Sequence, residues 1–406
     1  MNTLLITIFL CISALSSAGF YEARGLITIV DWTIFSKLSI ILPLIFSLYL
    51  VVKSKILNNK FFLNLLGIAI LGFLINLINS YSVNETPIYF STFSVFGYSI
   101  GAYACINQNF NSSIRNALLI FSLLNLIVAI SQIMVGYFGF PLETLIYGLG
   151  LRDGGSFSAF RNLGRATGLF NTPFSLASLG SLLMALPLYK SRIRMNVLLG
   201  YLLVLVSLSR AYIVFTSFHL LFWMTRRISI RAFRKSSSIF LLTLIFIMFF
   251  YFLNLYLTNL PSTSFSYKLA SFSSIFNVFT SNPFSLFFGF DQVNVHQFTQ
   301  GISDNMSYGN NSYESWYLRL FIFGGITLPL IYLLPLFKVI KLSFRIPNYD
   351  MFYIMSALLA STLSAFVSNG GFGGLNSWVY FYLLSYIISL STINTNKYIT
   401  INKTKE

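Results

Sequence analysis

The feature that most constrains this chain is a series of apolar runs, each close to twenty residues long and nearly free of charge. About 20 residues of α-helix span the hydrocarbon core of a bilayer. The runs are continuous and do not alternate between apolar and polar residues, which indicates helices and not barrel strands. Only 9% of the residues are charged, against about 25% in soluble domains, so lipid is the expected solvent for much of the chain.

We predict an all-α polytopic bundle of about twelve membrane spans, forming a single domain over residues 1–406. The expected spans are residues 1–19, 33–52, 61–79, 88–106, 116–136, 174–189, 196–209, 211–224, 238–259, 316–337, 350–368 and 376–392. The first span could be a cleaved signal peptide, but nothing basic follows Met1, so a retained helix is expected. Two large loops, residues 136–173 and 261–315, contain enough Phe, Tyr, Leu and Gly to be ordered.

The charged residues are distributed unequally between the two membrane faces when successive loops are assigned to alternate faces. One set of loops carries 18 of the 26 basic residues and two of the ten acidic residues, so the whole net charge of +16 lies on one face. The positive-inside rule makes that face cytoplasmic, with both termini inside and both large loops outside. The basic balance therefore requires no nucleic acid. Cys11 and Cys105 lie inside apolar runs, with no disulfide framework and no metal-ligand spacing.

Three arginines in the first large loop are candidates for binding an anion. Arg152, Arg161 and Arg165 lie in a glycine-containing stretch that returns directly to a predicted helix. Guanidinium groups suit phosphate because they donate paired hydrogen bonds and stay charged, and glycine lets the backbone approach a ligand. The alternative is that one or more of them pairs with Asp153, Glu143 or lipid headgroups.

Other charged candidates lie near the same predicted face. Arg210 occupies the outer turn between two predicted spans, where an arginine marks either a functional site or a side chain that extends to the headgroups. The second large loop and the helix that follows it supply groups that could exchange a proton or hold an anion: Asp291, His296, Asp304, Glu314 and Arg319. A lone histidine in a polar loop is more often solvated than catalytic. Glu314 and Arg319, five residues apart, share no helix face, so each needs its own partner.

Four motifs, taken in order, resemble the O-antigen polymerase and O-antigen ligase family. The stretch RATGLFNTPFSLASLG resembles the end of that family's first large periplasmic loop, and SLSRAY resembles its Ser-Arg turn. The stretch SYKLASFSSIFNVFTSNPFSLFFGFD resembles its amphipathic segment, with Lys268 where arginine is common and Asp291 where a second glycine would fall. The stretch NNSYESWYLRLFIFGGI resembles the start of its last motif. The resemblance covers about residues 160–335.

The resemblance implies a metal-independent, inverting glycosyltransferase of the GT-C type in the bacterial inner membrane, with its active face in the periplasm. It implies a donor sugar on undecaprenyl pyrophosphate, no cofactor, and a flippase and a chain-length regulator as partners. Fixed positive charge would stabilise the leaving pyrophosphate in place of a metal, with Arg152, Arg161, Arg165, Arg210 and Arg319 as the candidates. The candidates for accepting the hydroxyl proton are Glu314, Asp304 and His296.

The family contains two activities, and a third class of protein shares its architecture. The polymerase transfers a growing glycan onto a new lipid-linked repeat unit, whereas the ligase transfers finished glycan to lipid A-core. The ligase pattern has histidine where this chain has Asn310, so the polymerase is expected. A lipid-linked oligosaccharide flippase or other transporter would carry charges within its helices, whereas the centres of the spans predicted here are almost free of charge. A scaffold protein would not need three clustered arginines.

Overall fold

The structure is a computed structural model that describes residues 3–15, 45–53, 86–138, 166–170, 173–186, 195–224, 283–289, 316–345, 349–367 and 376–389, and seven positions between 63 and 74. Within these ranges the chain is all-α, and none of their residues forms a β-strand. The helices are α1 (Thr3–Leu15), α2 (45–53), α3 (Thr86–Ile106), α4 (Gln108–Phe138), α5 (Pro173–Met184), α6 (Met195–Val206), α7 (Arg210–Met224), α8 (Pro283–Phe288), α9 (Trp316–Gly324), α10 (Thr327–Arg345), α11 (Tyr349–Val367) and α12 (376–389).

All of these helices except α8 overlap a segment predicted from the sequence, with some changed boundaries; α8 lies within the predicted second large loop, residues 261–315. Helix α4 is longer than the predicted 116–136 at both ends, and α5 stops at Met184 although its predicted span extends to 189. The predicted span 238–259 lies outside the described residues. Residues Gln108–Met134 form the one helix of the described part that is long and apolar enough to cross a membrane.

Most of the buried apolar side chains of the described helices belong to one main hydrophobic core. Helices α5 and α6 run antiparallel, since Gly180 lies against Gly200 while Leu183 contacts Asn196. Helix α11 runs antiparallel to α5 and also to α7. Helices α3 and α12 run parallel to each other. Small residues allow these close approaches, as is common where helices pack within lipid.

The parallel contact between α3 and α12 depends on two glycines one turn apart. A Cβ on Gly97 would lie 2.5 Å from the carbonyl oxygen of Trp378, and a Cβ on Gly101 would collide with the carbonyl oxygen of Tyr382. The backbones therefore touch along one turn. Tyr98, between the glycines, donates its hydroxyl to the carbonyl oxygen of Ile331, 3.0 Å away, which joins α10 to the same contact.

The predicted span 316–337 is not one helix. It is split into α9 and α10 at Gly325, whose φ of +55° is a left-handed conformation that favours glycine. The carbonyl oxygens at the end of α8 bind the start of α10: Ile326 N–H donates to Leu286 over 2.7 Å, and the Thr327 hydroxyl donates to Phe287 over 3.1 Å. A Cβ at Gly325 would lie 2.5 Å from the Leu286 carbonyl oxygen, so glycine is needed here for close approach as well.

The helix ends gather at two opposite ends of the bundle. The loop-bearing end contains the starts of α5, α7, α9 and α12 and the end of α11, and it is joined by contacts such as Asn376 with Ser175 and Tyr317 with Phe366. The opposite end contains the end of α5, the starts of α4, α6 and α11, and the ends of α2 and α3. At the end of α2, Lys53 donates to the Tyr49 hydroxyl over 2.9 Å, and this hydrogen bond raises the pKa of the lysine.

Candidate functional site

The first large loop ends in a buried turn, Ala166–Phe170, that is held by the side chain of Gln132 on α4. Gln132 Oε1 accepts hydrogen bonds from the N–H groups of Thr167 and Gly168, each 3.0 Å long. Its Nε2 donates to the carbonyl oxygen of Gly168 over 3.1 Å. Gln132 and Thr167 are both fully buried. A buried carboxamide left unsatisfied would cost about 1–3 kcal/mol, so these bonds hold the turn and the glutamine together.

A second carboxamide of α4 completes this contact two helical turns away. Asn125 Oδ1 accepts a hydrogen bond of 2.9 Å from Leu169 N–H, while Asn125 Nδ2 donates to the Phe121 carbonyl oxygen over 3.0 Å. Gly168 has a φ of +60°, and a Cβ there would lie 2.7 Å from Asn125 Oδ1. Gln132, Asn125 and the turn Ala166–Phe170 are called the carboxamide clamp below.

Helix α5 leaves the clamp and is tied at once to α12. The helix starts at Pro173, and proline suits the first helical position because it has no N–H that needs a partner. Asn376, at the start of α12, donates from Nδ2 to the Ser175 carbonyl oxygen over 2.8 Å. Two turns further along α5, the hydroxyls of Ser181 and Ser361 hydrogen bond over 2.8 Å. The turn Ala166–Phe170 is thus fixed against α4, and the helix that follows it is fixed against α11 and α12.

Arg210 lies at the same end, as the first residue of α7. The turn before it passes through Leu208, whose φ is +49°, and Ser207 donates its hydroxyl to the Val204 carbonyl oxygen over 2.7 Å. The Arg210 side chain is exposed. Two residues on, Tyr212 packs with Ala177 of α5. The turn that carries Arg210 is therefore adjacent to the first turns of the helix that follows the clamp.

The structure places the other predicted site residues as follows. Arg319 is in the second turn of α9, where only the backbone is described. Helix α9 starts two residues after Glu314, and Tyr317 on it stacks against Phe366 with ring centres 4.0 Å apart. The remaining candidates lie outside the described residues: Arg152, Arg161, Arg165, Asp291, His296, Asp304 and Glu314.

The sequence reasoning missed both carboxamides of the clamp. Asn125 and Gln132 are seven residues apart, which puts them on one helix face, and both lie inside an apolar run where a polar side chain is unusual. That spacing is the signal that could have found them. Within the described part of the chain, no three His, Cys, Asp or Glu side chains are grouped as metal ligands would be.

The structure puts the carboxamide clamp and the start of α7 at the same end of the bundle. Arg210 is exposed there, and the clamp binds the backbone of Thr167, Gly168 and Leu169. The helices that begin after both large loops start at this end. In comparisons with known proteins, no protein-family model matches the chain, and a search of curated proteins returns no match.

Proposed function

We propose that the chain is a bacterial inner-membrane protein of about twelve spans that polymerises a polysaccharide, either O-antigen or capsule, at its periplasmic face. Helix α4 supports the membrane part of this proposal. One face of it buries the clamp, while the other exposes large apolar side chains. These are Ile120, Leu123, Leu124, Ile127, Ile130 and Met134. A contiguous apolar surface of this kind is unfavourable in water and expected in lipid.

The helix directions also support the proposal. Alternate crossings from a cytoplasmic N-terminus require the predicted spans 88–106 and 376–392 to be parallel, and α3 and α12 are parallel. The same alternation requires 211–224 and 350–368 to be antiparallel, as α7 and α11 are. The basic side chains of Lys53 and Arg115 lie at the opposite end, which agrees with a cytoplasmic position for that end.

The observation that carries the proposed activity is the carboxamide clamp beside Arg165. Transfer breaks the bond between the anomeric carbon of the glycan and the pyrophosphate oxygen, and the electron pair leaves with undecaprenyl pyrophosphate. A new bond forms from the same carbon to a hydroxyl of the next lipid-linked unit. Arginine at a fixed position stabilises the charge that develops on the leaving group. The clamp holds the turn that follows Arg165 in the sequence, and Arg210 supplies a second guanidinium at the same end.

The hydroxyl of the acceptor sugar must lose a proton as the new bond forms. Glu314, Asp304 and His296 are the proposed acceptors, all within the second large loop. Arg152, Arg161 and Arg319 complete the proposed pyrophosphate site. Because two lipid-linked substrates must meet in one orientation, their positioning by the loops contributes a large part of the rate.

The test is the surface glycan profile of a strain that lacks the gene, separated as a lipopolysaccharide or capsule gel. The proposal predicts a single repeat unit attached to the core, with the ladder of longer chains lost. Loss of all attached glycan, with polymer retained on the lipid carrier, would indicate a ligase instead. Absence of outward-facing lipid-linked units would indicate a flippase, and an unchanged profile would contradict any role in this glycan.

Complementation with variants then tests the site. Arg161→Ala and Arg165→Ala are expected to restore little or no ladder when they are expressed at the normal level. Arg115→Ala, at the opposite end of the bundle, is the matched control and is expected to restore the full ladder. Full-length polymer at a normal rate from both loop variants would contradict the pyrophosphate role.

A further inference from the structure

Helices α2 and α3 run side by side and end together, at the end of the bundle opposite the candidate site. The rings of Phe46 and Phe96 lie 6.1 Å apart, centre to centre. Seven residues further along each helix, the Lys53 ammonium lies 5.5 Å from the centre of the Tyr103 ring. The two helices are therefore parallel, and their last turns form one surface that contains Lys53 and Tyr103.

Lys53 lies between two tyrosines on this surface. Its Nζ donates a hydrogen bond of 2.9 Å to the Tyr49 hydroxyl and lies 5.2 Å from the centre of the Tyr49 ring. A cation within about 6 Å of an aromatic ring centre is attracted by that ring. The ammonium is thus held in place although its side chain is exposed, and it keeps further N–H groups to donate. The described part of the chain contains no carboxylate side chain that could serve as its counter-ion.

Asn107 orients the second tyrosine. This residue connects α3 to α4, and its Oδ1 accepts a hydrogen bond of 3.1 Å from the N–H of Phe110, as an N-cap residue does. That bond fixes the side of the carboxamide that carries the nitrogen, and Nδ2 donates to the Tyr103 hydroxyl over 3.2 Å. The Tyr103 oxygen is the acceptor in this bond, so its own proton is directed elsewhere.

The groups on this surface mainly donate hydrogen bonds. The Tyr49 hydroxyl accepts from Lys53 and the Tyr103 hydroxyl accepts from Asn107, so each tyrosine keeps its proton for another acceptor. Lys53 adds a full positive charge. A phosphate group matches this set, because it has several anionic oxygens that accept charge-assisted hydrogen bonds. Lys53, Tyr49, Tyr103 and Asn107 are called the donor cluster below.

An apolar stripe on α2 leads directly to the donor cluster. Ile45, Leu48 and Val52 are exposed and follow the i, i+3, i+7 spacing of one helix face, on which Tyr49 and Lys53 also lie. A row of exposed apolar side chains is unfavourable in water and suits contact with hydrocarbon. A ligand that fits the whole surface therefore has a phosphate at one end and acyl chains at the other.

We infer that the donor cluster binds the phosphate of an anionic phospholipid of the cytoplasmic leaflet, with an acyl chain along Ile45, Leu48 and Val52. The inference rests on the membrane location within the proposed function and does not depend on the proposed glycosyl transfer. Charge complementarity selects the occupant, because the loops predicted on this face carry the whole net charge of +16. A zwitterionic lipid such as phosphatidylcholine brings its own ammonium group, which Lys53 repels, so phosphatidylglycerol is preferred.

The competing explanation is that these residues contact any surrounding lipid, as Lys and Tyr at a membrane interface generally do. In that case the protein shows little preference among headgroups, and any preference depends on the total charge of the face. A defined site instead prefers an anionic headgroup, and that preference depends on Lys53 and on the tyrosine hydroxyls beside it.

The experiment measures how tightly the purified, delipidated full-length protein in neutral detergent binds phosphatidylglycerol and phosphatidylcholine, by native mass spectrometry. The unaltered protein is expected to bind one phosphatidylglycerol about 10-fold more tightly, as a hydrogen bond to a charged group allows. Lys53→Gln is expected to remove this preference, and Lys53→Arg, which keeps the charge, to retain most of it. Tyr103→Phe keeps the ring but loses the donor, and is expected to weaken phosphatidylglycerol binding about threefold.

Lys341→Gln is the matched control. Lys341 is exposed on α10, and the proposed topology puts it at the same face, so this substitution removes the same charge. The preference for phosphatidylglycerol is expected to remain. An equal loss in Lys53→Gln and Lys341→Gln would overturn the inference, because only the total charge would then matter. Displacement of the lipid by an equal concentration of inorganic phosphate would also overturn it, since the apolar stripe would then contribute nothing.

The outcomes distinguish failure of the inference from failure of the proposed function. If the protein is recovered from the membrane fraction and binds both phospholipids equally, only the inference fails. If it prefers phosphatidylglycerol as expected, and the strain that lacks the gene keeps its glycan ladder, the proposed activity fails and the inference stands. Absence of the protein from the membrane fraction would contradict both.

Discussion

Gly180 and Gly200 pack backbone against backbone, so that a Cβ on either glycine would lie 2.5 Å from the carbonyl oxygen of the other. This reciprocal contact sets the separation of α5 and α6. Since α5 follows the carboxamide clamp and α6 leads to the turn of Arg210, the two glycines also set the distance between the two parts of the candidate site that the structure describes.

Gly180→Ala and Gly200→Ala are expected to destabilise the protein. Each added methyl group meets a backbone oxygen, which cannot rotate away, so the helices must move apart at a cost of about 1–3 kcal/mol. Thermal unfolding of the purified protein in detergent measures the effect. Gly67→Ala is the control, because a Cβ there meets no atom of the described residues within 4 Å, and its unfolding temperature should not fall.

Gly168→Ala is expected to abolish polymer formation. The left-handed φ of this residue costs a residue with a side chain about 1–2 kcal/mol, and the new methyl group would push against Asn125 Oδ1, 2.7 Å away. Both effects open the clamp. Complementation of the strain that lacks the gene provides the measurement, with protein level checked by immunoblot. A normal ladder from this variant would contradict the importance assigned to the turn.

Tyr353→Phe is expected to lower stability and leave activity per folded molecule unchanged. The Tyr353 hydroxyl donates to the Met184 carbonyl oxygen over 2.7 Å at the end of α5, where helical carbonyls lack partners within the helix. Interhelical hydrogen bonds in membrane proteins contribute about 0.6 kcal/mol on average. The unfolding temperature should therefore fall slightly. A large loss of turnover would be the contrary result, because this contact lies at the opposite end from the site.

Labelling of single cysteines tests which end faces outward. Cys11 and Cys105, both half-buried, are first replaced by serine. A membrane-impermeant maleimide is expected to label Arg210→Cys in intact spheroplasts and to label Lys341→Cys only after permeabilisation. Both side chains are exposed, and the proposed topology puts Arg210 at the periplasmic face and Lys341 at the cytoplasmic face. Labelling of Lys341→Cys from outside would reverse the proposed orientation, and equal labelling of both would contradict the membrane topology.

The sequence predicted an all-α chain, but it predicted neither the short helix α8 within the second large loop nor the point where the span 316–337 breaks. Apolar periodicity over 316–337 continues through Gly324 and Gly325, and glycine is common within membrane helices, so composition alone does not indicate an interruption. The break at Gly325 depends on the Leu286 carbonyl oxygen that binds Ile326 N–H. Leu286 is distant from Ile326 in the sequence, so the residues around Gly325 do not by themselves predict this hydrogen bond.

The candidate site could be predicted only as a set of charged residue types near one face. Arg210 lies at a helix start, as its motif indicated, because a short turn between two apolar runs is a local feature. The clamp was not predicted, since it pairs Gln132 with residues thirty-five and thirty-six positions later. A polar residue within an apolar run indicates that its side chain has a hydrogen-bond partner, but the sequence does not show which residue that partner is.

The bond between Leu286 and Ile326 closes residues 287–325 into a ring whose two ends meet at one point on the bundle. That ring contains every proposed proton acceptor: Asp304, Glu314 and His296. The ring also contains α9, whose Tyr317, Leu320 and Ile322 are buried in the main core, so this helix belongs to the bundle and cannot be exchanged freely. Under the proposed function, a new sugar specificity would therefore arise from sequence changes between α8 and α9, with α9 and its Arg319 kept.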